Sequence, residues 1–452
     1  MVRTDHGWAR FRNGELFLRH YSGFESYDPA EMPTQISLPL HRLDRVPVLL
    51  MGGVSLVRAL GLAGIPVVVA SHDMGEPAFG SRYCVGRCLL PAPDQAQSAV
   101  DAIVRIGDRL SAMYGRRVPL MYGNDDYLAL IHAHRERLER YFLLLLNDNE
   151  VADALLVKDR FQAFAESRGL PVPRSLQWDG GAADSLAEAV GPVLVKPSNK
   201  ADWQESLLRK RLFHDGKALV FPSGAHAAAE PNVAVFREQL TFQDYVPGDD
   251  TCIWSFHGIA DGEGEVLDSF IGRKLRTYPT RTGESSYIEL CHDQGLHVLG
   301  SEIAAKVPLK GIFKMDFKKD ARTGRWNLLE INARFNLWHY LGAQNGVNLL
   351  GVAYDYLIEG TRPAKQRDYG TGYRWLSFEL DVRAFHELRA RGELGLFRWL
   401  ASIVFSRKVY NLFAWRDPGP WIRFWAFRFV RRWYRGAERV VSMVRQWRST
   451  AS

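Results

Sequence analysis

The sequence predicts an α/β protein in three parts: a Rossmann-like domain on a parallel sheet, a larger α+β body rich in paired strands, and a basic amphipathic helical C-terminal region. Three stretches carry that expectation. VPVLLMGGVSLVRALGLAGIPVVVAS (46–71) reads strand, helix, strand. GIFKMDFKKDARTGRWNLLEINARFN (311–336) reads as two alternating strands around a turn at Asp320, Thr323 and Gly324. WIRFWAFRFVRRWYRGAERVVSMVRQW (421–447) spaces its apolar residues three and four apart, the period of a helix.

At 452 residues the chain has room for about three domains. Its apolar share of 46% and charged share of 24% are those of an ordinary globular protein with a real core. Four cysteines are too few for a disulfide scaffold, and Cys84 and Cys88 lack a second ligand pair for zinc, so free thiols in a reducing cytoplasm are expected. The first residues show no apolar secretory segment, and no run of apolar residues is long enough to span a bilayer. The net charge of +7 is concentrated at one end, because residues 396–452 hold twelve basic residues against Asp417 and Glu438. A near-neutral body with a basic end does not suggest nucleic-acid binding over the whole surface.

Residues 1–45 form an N-terminal leader of mixed composition. Over 46–150 a strand runs into Gly52 and Gly53, and a helix with Leu56, Leu60 and Ala63 on one face follows. Gly64 ends that helix and a second strand starts at Ile65. Helix patterns at 97–113 and 126–140, the strand VPLMYG between them and the apolar FLLLLN continue the alternation. The loop after the first strand is where such sheets bind ligands, but G-x-G-x-x-G is absent and no dinucleotide site is expected. Residues 151–365 form the body, closed by the loop-like IEGTRPAKQRDYGTGYRW, and 366–452 the C-terminal region.

Within the hairpin at 311–336, side chains two apart share a face, so Asp316 faces across toward Glu330 while Glu330, Asn332 and Arg334 form one row. Two carboxylates and an amide oxygen make an oxygen-only nest for a hard cation such as Mg2+, with phosphates completing its shell. A solvated hairpin face is the plainer alternative for this segment alone. Lys196 closes an apolar strand before Pro197, a rigid mount for a cation against phosphates. Arg273 and Lys274, in SFIGRKLRTYPTRTGESSY, could form a carboxylate cradle or simply a solvated charge run.

MDF followed by LLEINAR resembles the metal-binding end of the ATP-grasp superfamily, whose members activate carboxylates as acyl phosphates. VKDRFQAFAESRGLPVPRS (157–175) resembles its lysine-bearing helix, GPVLVKPSN (191–199) its lysine strand, and FQDYVPGDD (242–250) its adenine hinge. The wording is most similar to the carboxylate–amine ligase branch that includes D-aspartate ligase. The resemblance implies ATP and Mg2+ (Mn2+ as a substitute) as cofactors, small-molecule carboxylate and amine substrates, and a pre-ATP-grasp domain at 46–150. It implies Lys158 and Lys196 on the phosphates, Gln243 reading adenine, Asp244, Tyr245 and Val246 as the hinge, and Asp250 (or Asp249) on the ribose. Asp316, Glu330 and Asn332 would hold the metal, and Arg334 would stabilise the transferring phosphoryl group. The glycine-rich loop that closes on the phosphates has no counterpart between Lys196 and the hinge, where Lys217 is a weak candidate. His339 reads as structural. A non-catalytic ATP-binding adaptor and a phosphotransferase with another acceptor are the rival functions.

In the C-terminal stretch, Ile422, Ala426, Phe429, Trp433, Ala437, Val440, Val444 and Trp447 make one stripe, with Arg428, Arg431, Arg432, Arg435 and Arg439 opposite. That pattern suits a helix lying in an anionic membrane interface. Docking on the body and pairing in a homodimer are the alternatives. The expectation is a cytoplasmic enzyme at the inner face of the membrane, acting on an envelope or surface-polymer precursor.

Overall fold

The computed structural model describes residues 35–156, 158–178, 185–198, 207–213, 217–364 and 368–432. A six-stranded sheet opens the fold, in the order β1-β4-β3-β2-β5-β6. Its strands are β1 (Gln35–Ser37), β2 (Val48–Met51), β3 (Val67–Ser71), β4 (Cys84–Leu89), β5 (Val118–Tyr122) and β6 (Phe142–Leu143). All neighbours are parallel except the antiparallel edge pair of β1 with β4. Val48 to Met51 are fully buried, which accounts for the unbroken apolar run: a parallel strand covered on both faces has no polar side. Helices α1 (Val54–Leu62), α2 (Ala96–Tyr114) and α3 (Asp125–Ala133) cover it. The helix expected to reach 140 breaks at His134 and resumes for a short turn. β1 falls inside the expected leader, so that part of the leader belongs to the sheet.

A small four-stranded sheet follows, ordered β7-β10-β8-β9: β7 (Ser175–Leu176), β8 (Val193–Pro197), β9 (Leu219–Phe221) and β10 (Leu240–Asp244). Helix α4 (Lys158–Ser167) precedes it.

The third sheet has seven strands, ordered β15-β14-β11-β12-β13-β16-β17. They are β11 (Ile253–Asp261), β12 (Val266–Tyr278), β13 (Glu284–Cys291), β14 (Lys310–Lys319), β15 (Trp326–Asn332), β16 (Tyr373–Leu376) and β17 (Arg407–Tyr410). Helix α5 (Gln294–Lys306) joins β13 to β14, while α6 (Trp338–Gln344) and α7 (Leu349–Glu359) follow β15. The C-terminal region was expected to be an appended helical segment. Instead, β16 pairs with β13 and carries β17, while α8 (Phe378–Ala390) packs on β12 and β13 and α9 (Leu396–Val404) bonds to the same strands through Ser402. Buried Asp381 on α8 ties the helix to β12, β13 and α9 by accepting from Arg276 Nε (2.8 Å), Ser286 Oγ (3.0 Å) and Trp399 Nε1 (2.8 Å).

One apolar core joins the first and third sheets, running from Leu56 and Leu60 of α1 to Trp338, Leu341 and Leu350 of α6 and α7. Asn348 Nδ2 donates to the Ala59 carbonyl (2.7 Å) and Tyr354 Oη to that of Val46 (2.9 Å). This packing brings the C-terminal ends of β2 and β5 to the end of β15. Neighbouring β2 and β5 diverge in connection there, the switch point at which open α/β sheets take ligands.

Candidate active site

The hairpin of β14 and β15 forms as its pattern predicts. Asp320 Oδ1 accepts from the N–H groups of Arg322 (2.8 Å) and Thr323 (3.2 Å), and Gly324 supplies the left-handed turn residue at φ 71°. Asp316 lies opposite Glu330 in register and Lys314 opposite Asn332. The register then skips Leu329, a bulge of the kind that re-aims side chains beside functional sites.

The row of Asp316, Glu330 and Asn332 continues across the sheet. Ser255 and His257 of β11 lie opposite Asp316 and Lys314, and Gly272 of β12 lies opposite Ser255. Asp316 is buried; Ser255 Oγ donates to its Oδ1 and Lys314 Nζ to its Oδ2 (2.7 Å). Burial alone would raise its pKa, but Lys314 and Lys274 outweigh that and hold the carboxyl below the ordinary range. Glu330 is exposed; its Oε1 accepts from Asn332 Nδ2 (3.0 Å), and Asn332 Oδ1 accepts from Arg334 Nη2 (3.3 Å). Arg334 continues the chain into the first domain, where its Nε and Nη2 meet the two carboxylate oxygens of Asp125 at the head of α3 (3.2 Å for Nη2–Oδ2).

Lys274 lies on this face, and loss of hydration lowers its pKa against the raising effect of Asp316. Trp338 roofs the row. A Cβ on Gly272 would come within 2.5 Å of its ring, and Lys314 Nζ sits 5.4 Å from the ring centroid. His257 stacks on the Trp338 ring and His339 meets His257 edge-on, both histidines fully buried. Burial pushes the His339 pKa down to about 4, which favours the neutral ring.

Arg273 is placed elsewhere. Adjacent residues on a strand point to opposite faces. Arg273 aligns with Trp254, Glu289 and, through Glu289, Arg374 on the reverse face. Its Nε and Nη2 both donate to Glu289 Oε1, and Arg374 Nη2 takes the other oxygen at 2.7 Å. Bound in that ion triad, it makes no carboxylate cradle with Lys274. A cleft of about 270 Å³ lined by Trp254, Arg273 and Asp320 lies on this reverse side, away from Asp316 and Glu330.

Asp250 also departs from its expected role. It is buried, with Oδ1 accepting from Thr277 Oγ1 (2.9 Å) and Arg281 N (2.8 Å) and Oδ2 from Thr277 N (2.8 Å). Its carboxylate ties the β12–β13 loop to the hinge rather than facing a sugar. Asp249 is exposed, capping Thr251 through N (2.9 Å) and Oγ1 (2.6 Å).

In the small sheet, Lys196 lies on β8 opposite Thr241, and Gln243 is buried on β10 opposite Leu194. Asp244 closes β10 by pairing with Arg174 (3.1 Å), and Tyr245 N donates to Pro192 O (3.0 Å). Buried Val246 completes the hinge, and Lys318 Nζ stands 4.6 Å over the Tyr245 ring. Lys158 is the first residue of α4; its side chain and residues 199–206 lie outside the described residues. Lys217 pairs with Glu284 (3.1 Å), linking the small sheet to the large one.

Lys314, Ser255 and Asp125 were missed by sequence reading. Lys314 was detectable, since it lies two residues before Asp316 on the same face. Asp125 carried only a helix N-cap signal at Asn124, whose side chain accepts from Tyr127 N. Among the described residues no group of three His, Cys, Asp or Glu is placed to hold a metal ion. Two carboxylates and one amide fit a cation that arrives with its own phosphate ligands better than a resident one.

No family model matches the chain. A lysine-strand sheet hinged onto an antiparallel sheet bearing this row is nonetheless the arrangement of the ATP-grasp fold. Over 293 residues it is 22% identical to the D-aspartate ligase of Enterococcus faecium (strain Aus0004), spanning 63% of this chain and 68% of that protein. Its fold is similar to the biotin carboxylase β,γ-ATP complex of Campylobacter jejuni (13% identity, TM-score 0.51, 73% of this chain and 74% of that one). It is equally similar to the biotin carboxylase domain dimer of the Hydrogenobacter thermophilus 2-oxoglutarate carboxylase bound to MgADP (16%, TM-score 0.51, 73% of each).

Proposed function

We propose that the protein is an ATP-dependent carboxylate–amine ligase that works through an acyl phosphate and releases ADP and phosphate. The observation that carries this reading is the pairing of Asp316 with Glu330, with Asn332 beside them and Lys314 and Lys274 on the same face. Asp316, Glu330 and Asn332 would hold Mg2+, which when bound neutralises charge on the β- and γ-phosphates. Lys196 and Lys158 hold the nucleotide phosphates, and Gln243 with Asp244, Tyr245 and Val246 takes the adenine. Lys314 and Lys274 orient the γ-phosphate toward a substrate carboxylate, whose oxygen attacks phosphorus and displaces ADP. Arg334 then stabilises the oxyanion formed as an amine attacks the acyl carbon, and phosphate leaves. Positioning and charge neutralisation do most of this work. The amine acceptor belongs to an envelope or surface-polymer precursor, a reading supported by the basic aromatic C-terminal region.

The test is ADP release against a panel of carboxylates and amines, with D-aspartate, the namesake of the relative, first among the carboxylates. Release should require both substrates and vanish in Glu330→Ala. Nucleotide binding without turnover on any pair would favour the adaptor reading, and turnover independent of amine would favour a phosphotransferase.

A further inference from the structure

We propose that the surface formed by residues 396–432 is a docking face for an anionic lipid bilayer. Every exposed aromatic side chain among the described residues except Phe378 lies between Phe397 and Phe429. Phe397, Phe405 and Trp415 are each more than four-fifths exposed, and Phe429 is 72% exposed. Phe413 meets both Trp415 and Trp421 edge-on, which joins the exposed ring of the loop to the helix that follows, and exposed apolar side chains grouped in this way mark an interaction site.

The helix at 419–432 is already attached to the body, and by its other side. Arg423 Nε donates to the Glu76 carbonyl (3.0 Å) and its Nη2 to that of Met74, while the Phe427 ring closes on Gly75. Ile422, Ala426 and Phe429, the described part of the predicted stripe, therefore remain exposed. The continuation of the stripe from Trp433 lies outside the described residues.

Charge selects the occupant. The only acid between 396 and 432 is Asp417, and it is buried against Arg58 (3.0 Å). Arg398, Arg416, Arg428, Arg431 and Arg432 are all exposed. A second copy related by a twofold axis would set this positive surface against itself. An anionic membrane complements it, aromatic rings entering the interface and guanidinium groups meeting headgroups. No helix among the described residues is long and apolar enough to cross a membrane, so the face lies on the bilayer.

Its position bears on the site. The 72–80 segment that holds the helix also carries His72, whose Nδ1 lies 3.1 Å from Tyr127 Oη on α3, the helix that begins at Asp125. The bilayer would thus lie beside the segment that borders the switch-point crevice. Lipid binding is measured without turnover, so it stands or falls separately from the ligase reading.

The experiment uses the full chain, because ending it near Arg391 would remove β17 and Asp417. Flotation is compared on vesicles of phosphatidylcholine alone and with added phosphatidylglycerol. The protein should float only with the anionic vesicles, and less as salt rises. Trp425→Glu with Phe429→Glu, and separately Phe397→Glu with Phe405→Glu, should abolish flotation while nucleotide binding and thermal midpoint hold. Arg428→Gln with Arg431→Gln should weaken it by roughly fivefold for each charge removed. Absence of flotation, or aromatic variants that float like the parent, would overturn the proposal. So would a dimer in light scattering that Trp425→Glu with Phe429→Glu converts to monomer, which would assign the face to a second copy.

Discussion

Replacing Asp125 with Asn removes the charge that holds Arg334 while preserving size and one acceptor oxygen. The pair joins two domains, and its side chains are 22% exposed at Arg334 and 43% at Asp125. A fully exposed pair contributes about 0–1 kcal/mol, whereas breaking a buried one costs about 3–5 kcal/mol. This geometry falls between the two, and about 1–2 kcal/mol corresponds to roughly five- to thirtyfold in kcat. When Asn332 turns its oxygen to a cation, Arg334 loses that neighbour and depends on Asp125 for its orientation. Arg334→Ala removes the oxyanion contact proposed for it and should lower kcat about 10²–10³-fold. The assay is amine-dependent ADP release at saturating ATP for both single variants and the double variant. With Arg334 absent, Asp125→Asn should change the rate by no more than about twofold, the signature of residues that act as one unit. Equal losses with and without Arg334 would refute the reasoning, as would a fall in nucleotide affinity that matches the fall in kcat.

Three further outcomes follow from the geometry. Lys196→Ala should weaken nucleotide binding by about 1.5–3 kcal/mol in calorimetry, one charge-assisted contact; an unchanged Kd would remove it from the site. Burial lowers the Lys274 pKa, so its charge is lost as pH rises, earlier than for an ordinary lysine, and nucleotide affinity should fall on the alkaline side. Lys274→Arg, which does not deprotonate, should shift that limb to higher pH, and an unmoved limb would exclude Lys274 as its cause. Asp417→Ala leaves Arg58 buried without its partner and should destabilise the fold by about 3–5 kcal/mol in urea unfolding; a loss below about 1 kcal/mol would show the pair to be incidental.

The parts of the fold read most directly from sequence are those governed by local period. Alternation along β14 and β15 is enough to set Asp316 against Glu330, and the apolar run before Gly52 is enough to bury β2. Alternation also separates Arg273 from Lys274. Grouping the two by nearness in the chain overlooked that neighbouring strand residues face opposite ways, so only Lys274 shares the face of Asp316. β16 and β17 have four residues each, too short to stand out from loop composition, and only pairing with β13 defines them. Asp125 is 209 residues from Arg334, and no local pattern relates the two. Asp250 occurs where a ribose acid is expected, yet Thr277 and Arg281, distant in sequence, occupy its oxygens.

Transfer of oxygen from substrate to phosphate tests the central claim most directly. With the carboxylate labelled in both oxygens by 18O, attack on the γ-phosphorus carries one labelled oxygen into the phosphate later released, and amide formation leaves it there. Phosphorus NMR should therefore find one 18O per phosphate for each amide formed, with none in Glu330→Ala. Unlabelled phosphate accompanying the amide would mean that the carboxylate is never phosphorylated, and would contradict the account.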